Sequence, residues 1–374
     1  MKIIYGLIIL SIIVFIHELG HLFAALISGV KVESFSIGFG PVLLHKTFKN
    51  IDWRISLIPM GGYCGMKGEA EMSEALENNE DFVEFDKDSL YGVHPLKQIF
   101  IAFAGPFANF LTAYVALVII ALTGFSYYAA SSKILIATDL YPEIISPAKE
   151  AGILSGDVIT EINGKSIKDF YEIYSTVAIH PDEDITVKIL RNEESLTFTV
   201  HTILDKETGT GKIGVVSDPK SVLKREAPRY SFFPALKQGF VKILDLIITT
   251  FKGIKSLFKG VKLSNSVSGP ASITFMLGDT IKTGFEAGFR NGLCGILNFI
   301  SIICISLFLM NLLPVPVLDG GLILIAFIEF AFKIHVSPKV RYRIQYIGFA
   351  FIGILLVIAL IGDFNFFMRL FHEK

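Results

Sequence analysis

Four stretches of the chain are apolar almost without interruption: Ile3–Ile27, Ile99–Leu122, Leu293–Leu313 and Ile344–Ile361. Each is close to the roughly 20 residues a helix needs to cross the hydrocarbon core of a bilayer. The first begins after Lys2, as a signal peptide would, but it holds His17, Glu18 and His21, which a signal's apolar region does not normally carry. It reads as a retained first span. Between the second and third runs lie about 170 mostly polar residues, room for one domain of common size and connecting elements. The pattern predicts a polytopic α-helical membrane protein with four spans and one extramembrane domain.

The polar segments have patterns of their own. After the first span, Ser34–Leu44 and Trp53–Ile58 read as short strands joined through Lys49-Asn50, and Gly61-Gly62-Tyr63 reads as a turn or a close backbone approach. Glu69–Asp88 is acidic and reads as a solvated loop. From Ser132 onward, Ile134–Ala137 and Asp157–Ile162 read as strands and Phe170–Val177 as a short helix. Ile185–Leu190 and Ser195–His201 read as a hairpin turning at Arg191–Glu194. This is a small mixed α/β domain. Phe232–Lys262 has apolar residues at helical spacing, with Lys237, Lys242, Lys252, Lys255 and Lys259 on another face, as expected of an amphipathic helix on the membrane or on the domain.

The division is then residues 1–28, the first span; 29–97, a loop with a β element; 98–124, the second span; and 132–205, the polar domain. Residues 206–290 form a linker with the amphipathic helix. The third span and its Leu318-Asp319-Gly320 motif occupy 291–333, and the fourth span and C-terminus 342–374. Charge sets the orientation. Lys333, Lys339, Arg341 and Arg343 crowd the short loop before the fourth span, which the positive-inside rule places in the cytosol. The 29–97 loop is then cytosolic, and the polar domain and both termini extracytoplasmic. Charged residues make up only 18% of the chain and the net charge is −1, so no basic face large enough for nucleic acid is expected. Of the three cysteines, Cys64, Cys294 and Cys304, none lies in the polar domain, so no disulfide framework reports its compartment.

The chemistry centres on His17-Glu18-Leu19-Gly20-His21. On a helix, residues four apart share a face, so both imidazoles can reach one metal ion, with Glu18 beside them as general base for a metal-bound water. Inside a span these groups are expensive unless they have partners or a water-filled cavity. A catalytic zinc usually takes three protein ligands and keeps a fourth position open. The third candidate is Asp319, just past the third apolar run and flanked by Pro314, Pro316 and Gly320-Gly321. Irregular backbone at membrane depth is tolerated only where protein or a cavity surrounds it. Asp319 could instead cap the helix beginning near Leu322. Asn109 and Asn311 sit in the second and third spans, where either could simply bond between helices. The remaining histidines, at 45, 94, 180, 201, 335 and 372, have no partner at ligand spacing and read as surface or structural residues.

Taken in order, His17–His21, Phe35-Ser-Ile-Gly-Phe-Gly-Pro41, Pro59-Met-Gly-Gly-Tyr63, Ala104-Gly-Pro-Phe-Ala-Asn109 and Asn311–Gly321 span nearly the whole chain. Together they resemble the site-2 protease family of intramembrane zinc metalloproteases, in its bacterial, RseP-like branch. The resemblance implies a Zn2+ held by His17, His21 and Asp319, with Glu18 catalytic. It implies a membrane-associated β-loop around Gly61, Gly62 and Tyr63 that offers an edge to an unwound substrate, with Asn311 and Asn109 handling substrate or supporting the zinc site. The polar domain would be one extracytoplasmic PDZ domain, about Ile134–Leu204, with Ser146–Ile153 near its peptide-binding loop and peptide tails as ligands. The implied activity is hydrolysis of peptide bonds within the transmembrane segments of single-span membrane proteins, such as anti-sigma factors or remnant signal peptides, in the bacterial inner membrane.

Three positions depart from the best-known members of the branch. There is space for one PDZ domain rather than two, Leu322 stands where many relatives have His, and Ser306 where some have a second Asn. Two other classes compete: a non-catalytic scaffold with a degenerate metal site, and a metal transporter. The catalytic positions argue against the first. The lack of internal repeats and of several polar sites along a path argues against the second.

Overall fold

The computed structural model describes residues 2–78, 80, 83–206, 208–257 and 269–372. In chain order, helix α1 (Lys2–Ser28) is followed by strands β1 (Val32–Phe48) and β2 (Ile51–Met66), then helices α2 (Glu69–Glu77) and α3 (Pro95–Thr123). Next come β3 (Ser126–Ala130), β4 (Ile134–Ile136), α4 (Ala137–Leu140), α5 (Pro147–Glu150), β5 (Val158–Ile162), β6 (Lys165–Ser166), α6 (Phe170–Ala178), β7 (Asp184–Arg191) and β8 (Glu194–His201). The short strands β9 (Ile203–Leu204), β10 (Gly211–Lys212), β11 (Val215–Ser217) and β12 (Val222–Glu226) lead into α7 (Phe232–Leu257). The chain ends with α8 (Pro270–Glu286), α9 (Phe289–Asn311), α10 (Asp319–Phe332) and α11 (Pro338–His372). Among the described residues four helices are long and apolar enough to cross a membrane: Ile4–Ser28, Pro95–Thr123, Phe289–Asn311 and Pro338–Phe371.

The chain folds as two units. The first holds α1 to α3, α8 to α10, the start of α7 and most of α11. Its helices meet where side chains are small, as expected when apolar surroundings give no hydrophobic drive and close van der Waals contact must serve. Gly20 of α1 lies on the Ala104 carbonyl of α3, Gly6 lies on Thr274 of α8, and Gly284 of α8 on Gly292 of α9. A side chain at any of these would push the helices apart. The start of α7 rests on α3, with Gly239 against Val118 and the Tyr114 hydroxyl donating to the Leu236 carbonyl.

The β element is a single long hairpin rather than two short strands, and of the two readings of Gly61-Gly62 it is the close backbone approach that holds. The chain reverses once, at Lys49 and Asn50, both left-handed (φ 52° and 61°), the backbone of a two-residue hairpin turn. The hairpin then curls on itself. Ser34 pairs with both Asp52 and Gly65, Phe35 with Trp53 and Cys64, and Ile37 with Ile55 and Gly62. The 62–66 segment is therefore an outer strand with β1 on one side and, among the described residues, no strand on the other. The glycines are there for clearance. Gly61 is left-handed (φ 119°) and packs on the Phe39 ring, and Gly62 lies on the Ser36 carbonyl. The acidic run differs from expectation too: Glu69–Glu77 is helical, with Glu69 and Glu71 accepting the Met66 and Gly68 backbone N–H groups at its start.

The second unit is the mixed α/β fold expected from the alternating residues. Strands run in the order β6-β5-β7-β8, and α6 covers a core of Ile159, Ile162, Ile173, Val187, Ile189 and Val200. The β7–β8 turn falls at Asn192 and Glu193, both left-handed. The unit runs past the expected end at residue 205. β11 pairs with β4, and β12 pairs with β3. These strands are two to five residues long and interrupted by glycine, so their alternation is too brief to read. An apolar groove of about 240 Å3 lies between α6 (Phe170, Ile173, Tyr174, Val177) and residues 211–216. Gly214 on its wall accepts a hydrogen bond from the Ser146 hydroxyl, at the start of the Ser146–Ile153 segment expected near the peptide-binding loop.

The linker reading fails at Pro270–Glu286, where α8 packs on α1 and α9. The amphipathic helix is present as α7, and the expected residues 258–262 lie outside the described chain. Removing the Ile189 side chain beyond Cβ should expose the cost of the second unit's core. Ile189→Ala should lower unfolding free energy by about 2–5 kcal/mol, seen as an earlier denaturant midpoint in circular dichroism of the full-length chain.

Candidate metal centre

His17 and His21 lie one turn apart on α1, and both are 8% exposed. Asp319 reaches them from the start of α10. The path is a tight loop after α9, in which Val315 N–H donates to the Leu313 carbonyl and Leu318 N–H to that of Val315. Val317 takes a positive φ of 90°, a conformation β-branched residues rarely adopt and one that costs about 1–3 kcal/mol. Gly320 and Gly321 are ordinary in φ. Their role is space, because the loop carbonyls of Leu312, Leu313 and Val315 lie where side chains would be. Asp319 does not cap the helix: the N-cap position is Leu318, which makes no side-chain cap bond.

The three donors converge. His17 Nε2 lies 3.2 Å from His21 Nε2 and 3.3 Å from Asp319 Oδ2, and His21 Nε2 lies 3.4 Å from Asp319 Oδ1. Donors about 2.0–2.1 Å from a tetrahedral zinc stand roughly 3.3 Å from one another. The triangle therefore has the edge length that such an ion requires. Two imidazoles and a carboxylate with room for one more ligand also suit zinc chemically.

The surroundings aim the donors. His21 Nδ1 lies 2.9 Å from the Ile101 carbonyl of α3. A carbonyl only accepts, so Nδ1 carries the proton and Nε2 offers its lone pair. Gly105, one turn along α3, faces the His21 ring so closely that a β-carbon would overlap Nε2. The Glu18 side chain lies against Gly62, so the outer strand of the hairpin borders it directly.

These groups line a cavity of about 370 Å3, walled by His17, Glu18, His21, Gly62, Tyr63, Asn311 and Asp319 among others. Glu69 lines it too. Burial strips water from its carboxyl and pushes it up to about 7.

The expected site residues fall into three groups. His17, Glu18, His21 and Asp319 meet. Gly62, Tyr63 and Asn311 line the same cavity, and Asn311 Nδ2 is 3.4 Å from His17 Nε2. Gly61 is one residue further, against Phe39. Asn109 is fully buried and lies behind His17 rather than in the cavity, because α3 packs on the back of α1. Sequence reasoning misses Ile101, which acts through its backbone carbonyl and leaves no side-chain signature. Gly105 does leave one, a glycine within an apolar span.

A buried cluster of donors for one metal, with a carboxylate beside it and a strand edge opening on the same cavity, defines a metal-dependent membrane hydrolase. The sequence matches the model of Peptidase family M50 over residues 5–355, and the chain belongs to that family. It is 34% identical to a Campylobacter jejuni protein over 98% of this chain and 93% of that one, and 32% identical to a Treponema pallidum protein over 99% and 100%. A Rickettsia conorii protein is 32% identical over 97% and 98%. All three carry the name "Putative zinc metalloprotease".

The geometry around Gly105 yields a test. In Gly105→Ala the new methyl displaces the His21 ring, and metal affinity should fall by about tenfold or more. Metal content of the purified protein after dialysis against a graded chelator checks this. One firmly held metal per chain in the variant would refute it.

Proposed function

We propose that the protein is an intramembrane zinc protease that hydrolyses peptide bonds within the transmembrane segments of single-span membrane proteins. The observation that carries the reading is the triangle of His17, His21 and Asp319, sized for zinc, in a chain with four apolar helices. His17, His21 and Asp319 hold the ion. Bound zinc supplies a Lewis acid and lowers the pKa of its water to about 7. Glu18, in the same cavity, would act as general base and then general acid, taking a proton from the attacking water and passing it to the leaving amine.

A helical substrate hides its amides and must be extended to be cut. The outer strand at 62–66 suits an extended chain, because it lacks a strand partner on its cavity side. Gly62 and Tyr63, with Gly61 supporting them, lay the substrate backbone beside Glu18, and Asn311 contributes an amide near the scissile bond. The transporter and scaffold readings find no such support: an edge strand and a general base are needed for neither.

The second unit suits a PDZ domain that takes peptide tails. Its apolar groove between α6 and 211–216 has a helix on one wall and extended chain on the other, the shape for adding a peptide strand. Lys333, Lys339, Arg341 and Arg343 favour a topology with the hairpin in the cytosol and this domain outside, in the bacterial inner membrane.

The test uses the detergent-purified protein and a single-span substrate with a helix-breaking residue in its span. Glu18→Gln should keep the zinc and lose at least about 10²-fold in cleavage rate. A chelator should abolish wild-type cleavage, and added zinc should restore it. Undiminished cleavage by Glu18→Gln would overturn the mechanism.

A further inference from the structure

His21 has its remote nitrogen fixed by a backbone carbonyl, but His17 has no carbonyl in that place. Facing His17 Nδ1, at 3.1 Å, is the amide of Asn109, eight residues beyond Ile101 on α3. Asn109 is 0% exposed, and its Oδ1 has no hydrogen-bond partner among the described residues. The atom placed towards the imidazole is Nδ2. In that orientation the amide donates to Nδ1, so the proton of a neutral His17 sits on Nε2, the atom that faces Asp319 and His21. A histidine protonated there cannot donate a lone pair to a metal. The two ends of an amide are nearly identical in shape, and which is oxygen follows from the bonding around it. Turned by half a rotation, the orphaned oxygen accepts Nδ1–H, and Nε2 is free to ligate.

We propose that Asn109 is a positioning residue for the metal. Its amide oxygen holds His17 in the tautomer whose Nε2 lone pair points into the donor triangle. α3 then orients both imidazoles, His21 through the Ile101 carbonyl and His17 through the Asn109 side chain. This rests on the metal-ligand reading of His17, His21 and Asp319. It differs from a substrate-handling role, because Asn109 is closed off from the cavity. It differs from a packing role, because it depends on an acceptor atom rather than on volume.

The experiment compares wild type, Asn109→Leu and Asn109→Asp, three side chains of similar size. Leucine has no acceptor, and a carboxylate only accepts. Zinc affinity is measured by competition with a chromogenic chelator, and ligation by the visible spectrum of the cobalt-substituted protein. Asn109→Leu should bind zinc about 10–100-fold more weakly with an altered cobalt spectrum. Asn109→Asp should bind at least as tightly as wild type with an unaltered one. Wild-type affinity in Asn109→Leu, or weakening in Asn109→Asp, overturns the proposal. If Asn109→Leu is not recovered folded, the Asn109→Asp result decides alone. A wild type that binds no zinc would instead sink the metal reading itself.

Discussion

The fold turns on the cost of holding ionisable groups in an apolar bundle. Two imidazoles and a carboxylate within 3.4 Å of one another in an apolar bundle are costly to bury unless they pair with one another or share a cation. Much of the first unit serves that one requirement. Glycines at 20 and 105 bring α1 against α3 so that α3 can bond the histidines from behind. A strained loop at Val317 and two glycines at the start of α10 bring Asp319 to them from the front. The backbone strain at Val317 lies two residues before Asp319, as expected when a surrounding structure over-determines a functional geometry.

The base is placed by the same economy. Glu18 follows His17 on the helix, so the turn that carries the two imidazoles fixes its general position, and Gly62 lies against its side chain. That glycine belongs to the outer strand of the hairpin, so one strand both packs on Glu18 and borders the cavity. The curl of the hairpin is what makes this possible. By pairing 34–37 on both sides, it stiffens a ribbon that would be marginal as two strands alone.

The sequence makes some of this legible and hides the rest for definite reasons. The four long apolar helices stand out because an apolar run of that length has few other uses. His17, Glu18 and His21 stand out because their types and spacing imply a shared face. Asp319 can be nominated, but not distinguished from a helix cap, because its partners lie some 300 residues earlier in the chain. The second unit's main strands and α6 are readable from alternation over five or more residues. Its closing strands β9 to β12 are not, since two to five residues give no period. The helix α8 looks like linker because its polar ends, Asp279, Lys282 and Glu286, mask a face that packs on α1. The hairpin's glycines leave a turn and a close backbone approach both open, because the Phe39 ring and Ser36 carbonyl that press on them belong to β1, the other arm of the hairpin.

The separation of the donors along the chain has one more consequence. α1 carries two of them and α10 the third, so an ion bound at the triangle joins the first helix to one nearly 300 residues later. It is then a crosslink as well as a catalyst, closing a loop that takes in almost the whole protein, the second unit included. Loss of the ion frees the two ends of that loop from each other. Metal supply thereby sets how firmly the membrane bundle is fastened, and a metal-starved chain would be a looser assembly before it was an inactive one.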